Sequence, residues 1–375
     1  MIRGSHILAL CLATGALQAQ QPSPAPTATA SPTPVPTASP APPPVPAAPP
    51  QSLRETINGL KDEDVEKAIQ TLKSGFLDPA RVEDKALQRA MLEGLIRRLS
   101  PGAEVTGNVK KAVAAESPFL AEILDAHIGY LRPGALNQNS LAQLDAALAD
   151  FSGKTIDAVI LDLRGLPPGG DFETAAEFAR RFCAKGKLLF SIQKPSAKQE
   201  RIFTSNQDPA FQGVIMVLTD ADTSGAAEAL AATLRLNAGA MIIGSDTTGE
   251  AVEFAEAQLG GGAVLRVAVA QVILPESGPL FPGGVKPDVA ISLPRDVQEQ
   301  IFRDSKEKGV SQFVFESERR RMNEASLVAN LNPEIDSAQS AQKERNRAPQ
   351  LKDTVLQRAV DLVTAINFYK GRKGS

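Results

Sequence analysis

Apolar residues recur at helical spacing near the start of the foldable chain. Val65, Ala68, Ile69 and Leu72 form one stripe, and Leu87, Met91, Leu95 and Leu99 form another. Asp78-Pro79 separates them, because the residue before a proline is pushed out of the helical region. From residue 127 the pattern changes. Short apolar runs at 127–131, 156–164, 188–192, 213–218, 240–243 and 263–274 read as strands, and 139–150, 172–182 and 226–236 read as helices. The runs at 156–164 and 213–218 are almost unbroken, as expected for strands covered on both faces. Alternating strands and helices predict a layered α/β core. Residues 294–328 read as a charged helical stretch. Its basic knot, Arg319-Arg-Arg321, is read as part of a solvated face. Residues 332–350 read as a polar linker. Residues 351–369 read as an amphipathic helix with Leu351, Val355, Leu356, Val360, Leu362, Val363 and Ile366 on its apolar side. That helix is expected to dock on the core or to pair with a second copy of the chain.

Composition changes the picture mainly at the amino terminus. Residues 1–19 read as a secretory signal peptide, with Arg3, an apolar stretch over 7–17 and small Ala19 at the cut. Residues 20–50 read as a linker; residues 21–50 hold 13 prolines and no charge, so they cannot build a core. As polyproline II this linker reaches about 90 Å. The expected domains are therefore 1–19 signal, 20–50 linker, 51–125 helical amino-terminal subdomain, 126–293 core and 294–375 helical extension. Without the signal the balance is 39 basic against 43 acidic residues, which argues against nucleic acid as a partner. No span follows the signal, so the expected location is exported, periplasmic or extracellular. Cys183 and His127 would then be single residues of their kinds, which excludes an internal disulfide and a closed zinc site. No metal and no cofactor is expected.

The chemistry-bearing motifs are Asp162-Leu-Arg-Gly-Leu-Pro-Pro-Gly-Gly170, Asp220-Ala-Asp-Thr-Ser-Gly-Ala-Ala-Glu228, Ile242-Ile-Gly-Ser-Asp-Thr-Thr-Gly-Glu250 and Phe281-Pro-Gly-Gly-Val-Lys-Pro-Asp-Val289. In order and spacing they resemble the tail-specific (C-terminal processing) proteases, the S41 serine peptidases. The stretches 75–82 and 94–102 resemble that family's amino-terminal helices. The resemblance covers residues 52–102 and 127–292. It implies a crotonase/ClpP-like layered core with an amino-terminal helical subdomain and carboxyl-terminal helices. It also implies that the family's serine nucleophile and lysine base fall on Gly225 and Glu250. Glycine carries no nucleophile, and an anionic glutamate is no amine base. Only about 24 residues separate Gly102 from His127, too few for the PDZ domain that reads substrates in the family.

The resemblance further implies that Gly169 or Gly170, with the N–H of Ala226, forms an oxyanion-like, peptide-binding nest. The alternative is a plain strand-to-helix turn, and the loop is one residue longer than the family's. Ser224 reads as a cap for the following helix. The alternative is a displaced nucleophile served by Lys194 or Lys198. His127 precedes the first core strand, so a triad built on it has no support. The expected function is an exported pseudoprotease that binds peptide or protein in the former substrate cleft, as scaffold or regulator. An active endopeptidase using Ser224 and an apolar-ligand carrier are the alternatives.

Overall fold

The computed structural model describes residues 53–107, 117–314 and 351–373. The signal segment, the proline-rich linker and the Arg319-Arg-Arg321 knot lie outside the described residues. The chain divides after Gly75 into two compact units. Within the first, α1 (Leu53–Asn58) and α2 (Asp62–Gly75) are described, and neither buries a residue. The boundary differs from the expected helical subdomain over 51–125. The later part of that stretch holds α3 (Asp84–Leu99), β1 (Ala103–Thr106) and β2 (Leu120–Leu124), and both strands join the sheets of the second unit.

The second unit is built on a six-stranded sheet ordered β12-β8-β7-β4-β3-β2. Its strands are β3 (Ile128–Arg132), β4 (Ala158–Asp162), β7 (Val214–Thr219), β8 (Met241–Gly244) and β12 (Val289–Ala290), parallel throughout, with β2 antiparallel at one edge. Helices α4 (Gln138–Ser152), α5 (Phe172–Arg180) and α6 (Ala226–Ala238) carry the chain between strands. Asn137 and Asp171 start α4 and α5 by accepting hydrogen bonds from the backbone N–H groups of Ser140 and of Glu173 and Thr174.

Side chains alternate across a strand, and here both faces are buried. Val159, Leu161, Ile215 and Val217 face a core shared with α4, α5 and α6. Ala158, Ile160, Met216 and Leu218 face the opposite core with Val355, Leu356, Ala359, Val360 and Val363 of α8 (Thr354–Lys373). The unbroken apolar runs of β4 and β7 follow from this double covering. Of the two expected partners for the apolar face of α8, the core or a second copy, the core of its own chain occupies it. A second, antiparallel sheet contains β1, β5 (Leu188–Lys194), β6 (Gln199–Thr204), β9 (Val252–Gln258), β10 (Val264–Leu274) and β11 (Gly278–Pro279). β1 and β6 carry too few apolar residues to have been read as strands, and pairing with neighbours defines them.

One ionic network ties α8 to the parallel sheet. Arg164, 1% exposed, donates through Nε and Nη2 to Asp162 and through Nη1 and Nη2 to Asp353. Tyr130 donates to Asp162 at 2.7 Å, and Asp353 also accepts from the Leu356 N–H at the start of α8. Burial disfavours ionisation of Asp353, but Arg164 and the backbone donors prevail and hold its carboxyl below the usual range.

Candidate functional site

In a parallel sheet the loops that follow the strands gather at the carboxyl edge. Here they are residues 163–171 after β4, 220–225 after β7 and 245–251 after β8, with α7 (Arg295–Lys308) beside them. Asp220 binds the first two loops to α7, and the Thr248 N–H joins the third loop through the Thr223 carbonyl at 3.1 Å. Asp220 Oδ2 accepts from the Gly165 N–H and from Gln298 Nε2 of α7, and its Oδ1 accepts from Thr223 Oγ1 and the Asp222 N–H. The salt bridge of Arg295 to Asp222 at 3.2 Å adds a more exposed link. A cleft of about 770 Å³ lies between these loops and α7. Ser224, Thr248 and Glu250 line the loop side; Arg295, Phe302, Arg303 and Lys306 line the helix side.

The centre of the arrangement is Glu228, fully buried in the first turn of α6. Its carboxylate accepts the backbone N–H groups of Gly225, Gly249 and Glu250 at 2.9, 2.7 and 2.8 Å, and also the hydroxyl of Thr247. Oε2 receives both Gly225 and Glu250, so these two positions sit on either side of one oxygen. Burial pushes the Glu228 carboxyl above its ordinary value, and the donors from Thr247, Gly249, Gly225 and Glu250 oppose that only in part.

Gly225 starts α6 with φ 59° and ψ −120°. A Cβ built there would lie 2.5 Å from the Gly169 carbonyl oxygen, so backbone conformation and space both demand glycine. This corrects the role expected of Ser224. The helix begins at Gly225, whose N–H bonds to Glu228, and the Ser224 hydroxyl instead accepts from the Gly169 N–H at 3.4 Å. The expected nest is closed as well. The Ala226 N–H donates to the Gly169 carbonyl at 2.9 Å, so it is not free to receive an outside anion. Gly169 and Gly170, both with positive φ, line a separate cavity of about 170 Å³ with Asn137 and Ala227.

Other candidates fall away from the cleft. Lys194 and Lys198 belong to the turn between β5 and β6, and neither lines it; Lys306 does. His127 stands at the amino-terminal end of β3, the opposite edge of the parallel sheet from the loops. Cys183 is buried, and burial pushes its thiol up to about 12. The contribution of α7 was not foreseen. Its cleft-facing residues repeat at 295, 298, 302 and 306, but all of them except Phe302 are polar or charged, so that period carries no hydrophobic signal.

Among the described residues no group of histidine, cysteine or carboxylate side chains is placed to hold a metal. No described helix is long and apolar enough to cross a membrane.

A layered α/β unit with a cleft at the carboxyl edge of its parallel strands is the architecture in hand. Residues 127–291 match the family model of peptidase family S41. The chain is similar to the carboxyl-terminal-processing protease of Synechocystis sp., 27% identical over 57% of this chain and 53% of the relative. It is 24% identical to carboxy-terminal processing protease CtpA of Bacillus subtilis, over 50% of this chain and 40% of the relative. The chloroplastic carboxyl-terminal-processing peptidase 2 of Arabidopsis thaliana is 28% identical over 47% of this chain and 34% of the relative. The chain therefore matches about half, or less, of the length of these curated relatives. A solved photosystem II D1 C-terminal processing protease aligns at 25% identity with a TM-score of 0.40, covering 56% of this chain and 53% of that one.

Proposed function

We propose that this chain is an exported, non-hydrolysing S41 protein that holds a peptide or protein segment in the cleft between the 163–171 loop and α7, as scaffold or regulator. The hydrogen bond from the Ala226 N–H to the Gly169 carbonyl carries the reading. Acyl transfer needs a nucleophile and free donors aimed at the developing oxyanion. Here the donor at Ala226 is engaged, Gly225 offers no side chain, and Glu250 faces the cleft where the family resemblance expects a base. A cleft of about 770 Å³ is ample for a peptide segment. Export rests on the signal-like residues 1–19 and is tested by sequencing the amino terminus of protein recovered from the producing cells' envelope.

The competing reading is a peptidase using Ser224. It is favoured by one observation, that Ser224 and Lys306 line the same cleft. A fluorophosphonate probe separates the two. No covalent adduct by intact mass is expected, and labelling at Ser224 overturns the pseudoprotease reading. An apolar-ligand carrier has less support, because charged residues from both walls line the cleft.

A further inference from the structure

Charge is unevenly distributed around the cleft. Of its acidic lining, Asp222 and Glu299 share one cation, Arg295, which lies 3.2 Å from the first and 3.3 Å from the second. Glu250 also has an interaction of its own. Two cations are left over. Arg303 and Lys306 line the helix wall, stand exposed, and have no partner among the described residues. The other acids of α7 do not offset them. Asp296, Asp304 and Glu307 do not line the cleft, and Asp304 pairs with Lys308 at 3.2 Å. The helix holds four basic and four acidic residues, so the surplus arises from which of its faces is turned to the cleft.

The backbone that carries these cations is pinned from the core side. Arg132, 3% exposed, lies 4.3 Å from the centroid of the Phe302 ring and donates to Ser305 Oγ at 2.9 Å, and Arg164 lies 5.4 Å from the same ring. Residues 302 and 305 are thereby held, and 303 and 306 with them, so a ligand meets a preorganised wall. Residues three apart on a helix have Cβ atoms about 5–6 Å apart. Alternate side chains of an extended chain share a face about 7 Å apart, a difference that the long Arg and Lys stems absorb. We propose that the cleft selects an extended segment with acidic side chains two residues apart, one carboxylate at Arg303 and the other at Lys306. The inference rests on the peptide-holding role of the cleft and names its ligand chemistry: internal acidic side chains, with no part for a chain terminus.

The test uses the full chain and fluorescein-labelled nonapeptides blocked at both ends, with Glu-Ser-Glu at the centre and a photoreactive benzoylphenylalanine beside it. Counterparts carry Gln-Ser-Gln or Lys-Ser-Lys. By fluorescence polarisation the acidic peptide is expected to bind about tenfold tighter than the Gln counterpart, as two exposed charge pairs allow. Raising sodium chloride from about 0.05 M to about 0.5 M is expected to cut that preference to about twofold. Arg303→Glu combined with Lys306→Glu is expected to abolish it and to favour the Lys counterpart instead. Lys185→Glu combined with Lys187→Glu makes the same change in net charge outside the cleft lining and is expected to keep it. Cross-links mapped by mass spectrometry are expected in residues 163–171 or in α7. Circular dichroism confirms that each variant is folded. Equal binding of the acidic and Gln peptides, with cross-links in the cleft, sustains the cleft reading and removes this one. A preference that survives the double change at 303 and 306, or that the change at 185 and 187 also abolishes, overturns the proposal, as do cross-links away from the cleft. Absence of binding by every peptide removes both readings.

Discussion

Glu228 gathers three backbone N–H groups and the Thr247 hydroxyl on one buried carboxylate, and thereby holds residues 225 and 250 together. Its raised pKa has a signed consequence. Between the unfolded value, about 4.3, and the higher folded value, the native state keeps a proton that the unfolded chain has released. This group's contribution to stability is therefore full at low pH and declines as pH rises through that window. Melting temperatures measured against pH should show the decline in the parent and not in Glu228→Gln. At Gly225, a serine must adopt φ near 59° with its Cβ against the Gly169 oxygen. Gly225→Ser should cost about 1–3 kcal/mol in denaturant unfolding. The double change Gly225→Ser with Glu250→Lys should yield no peptidase activity in a fluorogenic peptide assay, because the Ala226 donor stays engaged. The residue types at 225 and 250 were legible in the chain. The bond closing the nest was not, because it joins two backbones 57 residues apart.

At the scale of elements, an acidic residue at the start of the carboxyl-terminal helix adds an ionic anchor to the helix's apolar packing on the parallel sheet. Asp353 is bonded to Arg164, and removing one partner of a buried pair leaves the other charge uncompensated. Asp353→Asn should destabilise the fold by about 3 kcal/mol, with the amides of α8 exchanging faster in hydrogen exchange. Because the folded Asp353 carboxyl lies below its unfolded value, its contribution is full above about pH 3.9 and is lost as pH falls through the folded value. The helix itself was readable from the 355–366 apolar period. Its acid anchor was not, since nothing in one sequence links position 353 to position 164.

Across the whole molecule, the parallel sheet needs cover on both faces. Ending the chain before residue 351 would uncover Tyr130, Ile160, Met216 and Leu218. Such a truncation should aggregate or bind the dye ANS, and size-exclusion chromatography with ANS fluorescence reads either outcome. The cleft is likewise a property of the whole, because α7 supplies one wall and the sheet's loops supply the other.

The chain alone determined the layered α/β class, the buried central strands, the S41-like motifs and the presence of glycine at 225 and glutamate at 250. These are local signals: period, turn chemistry and residue type at a spacing. Only the tertiary structure decided the rest. Edge strands such as β1 and β6 are half-exposed, and pairing rather than pattern defines them. Ser224 turned out to bond Gly169 instead of capping α6, because helix starts are set by backbone geometry that several neighbouring residues could satisfy. The proximity of residues 225 and 250 and the occupied Ala226 donor depend on hydrogen bonds between segments far apart in sequence, and only folding brings such partners within 3 Å.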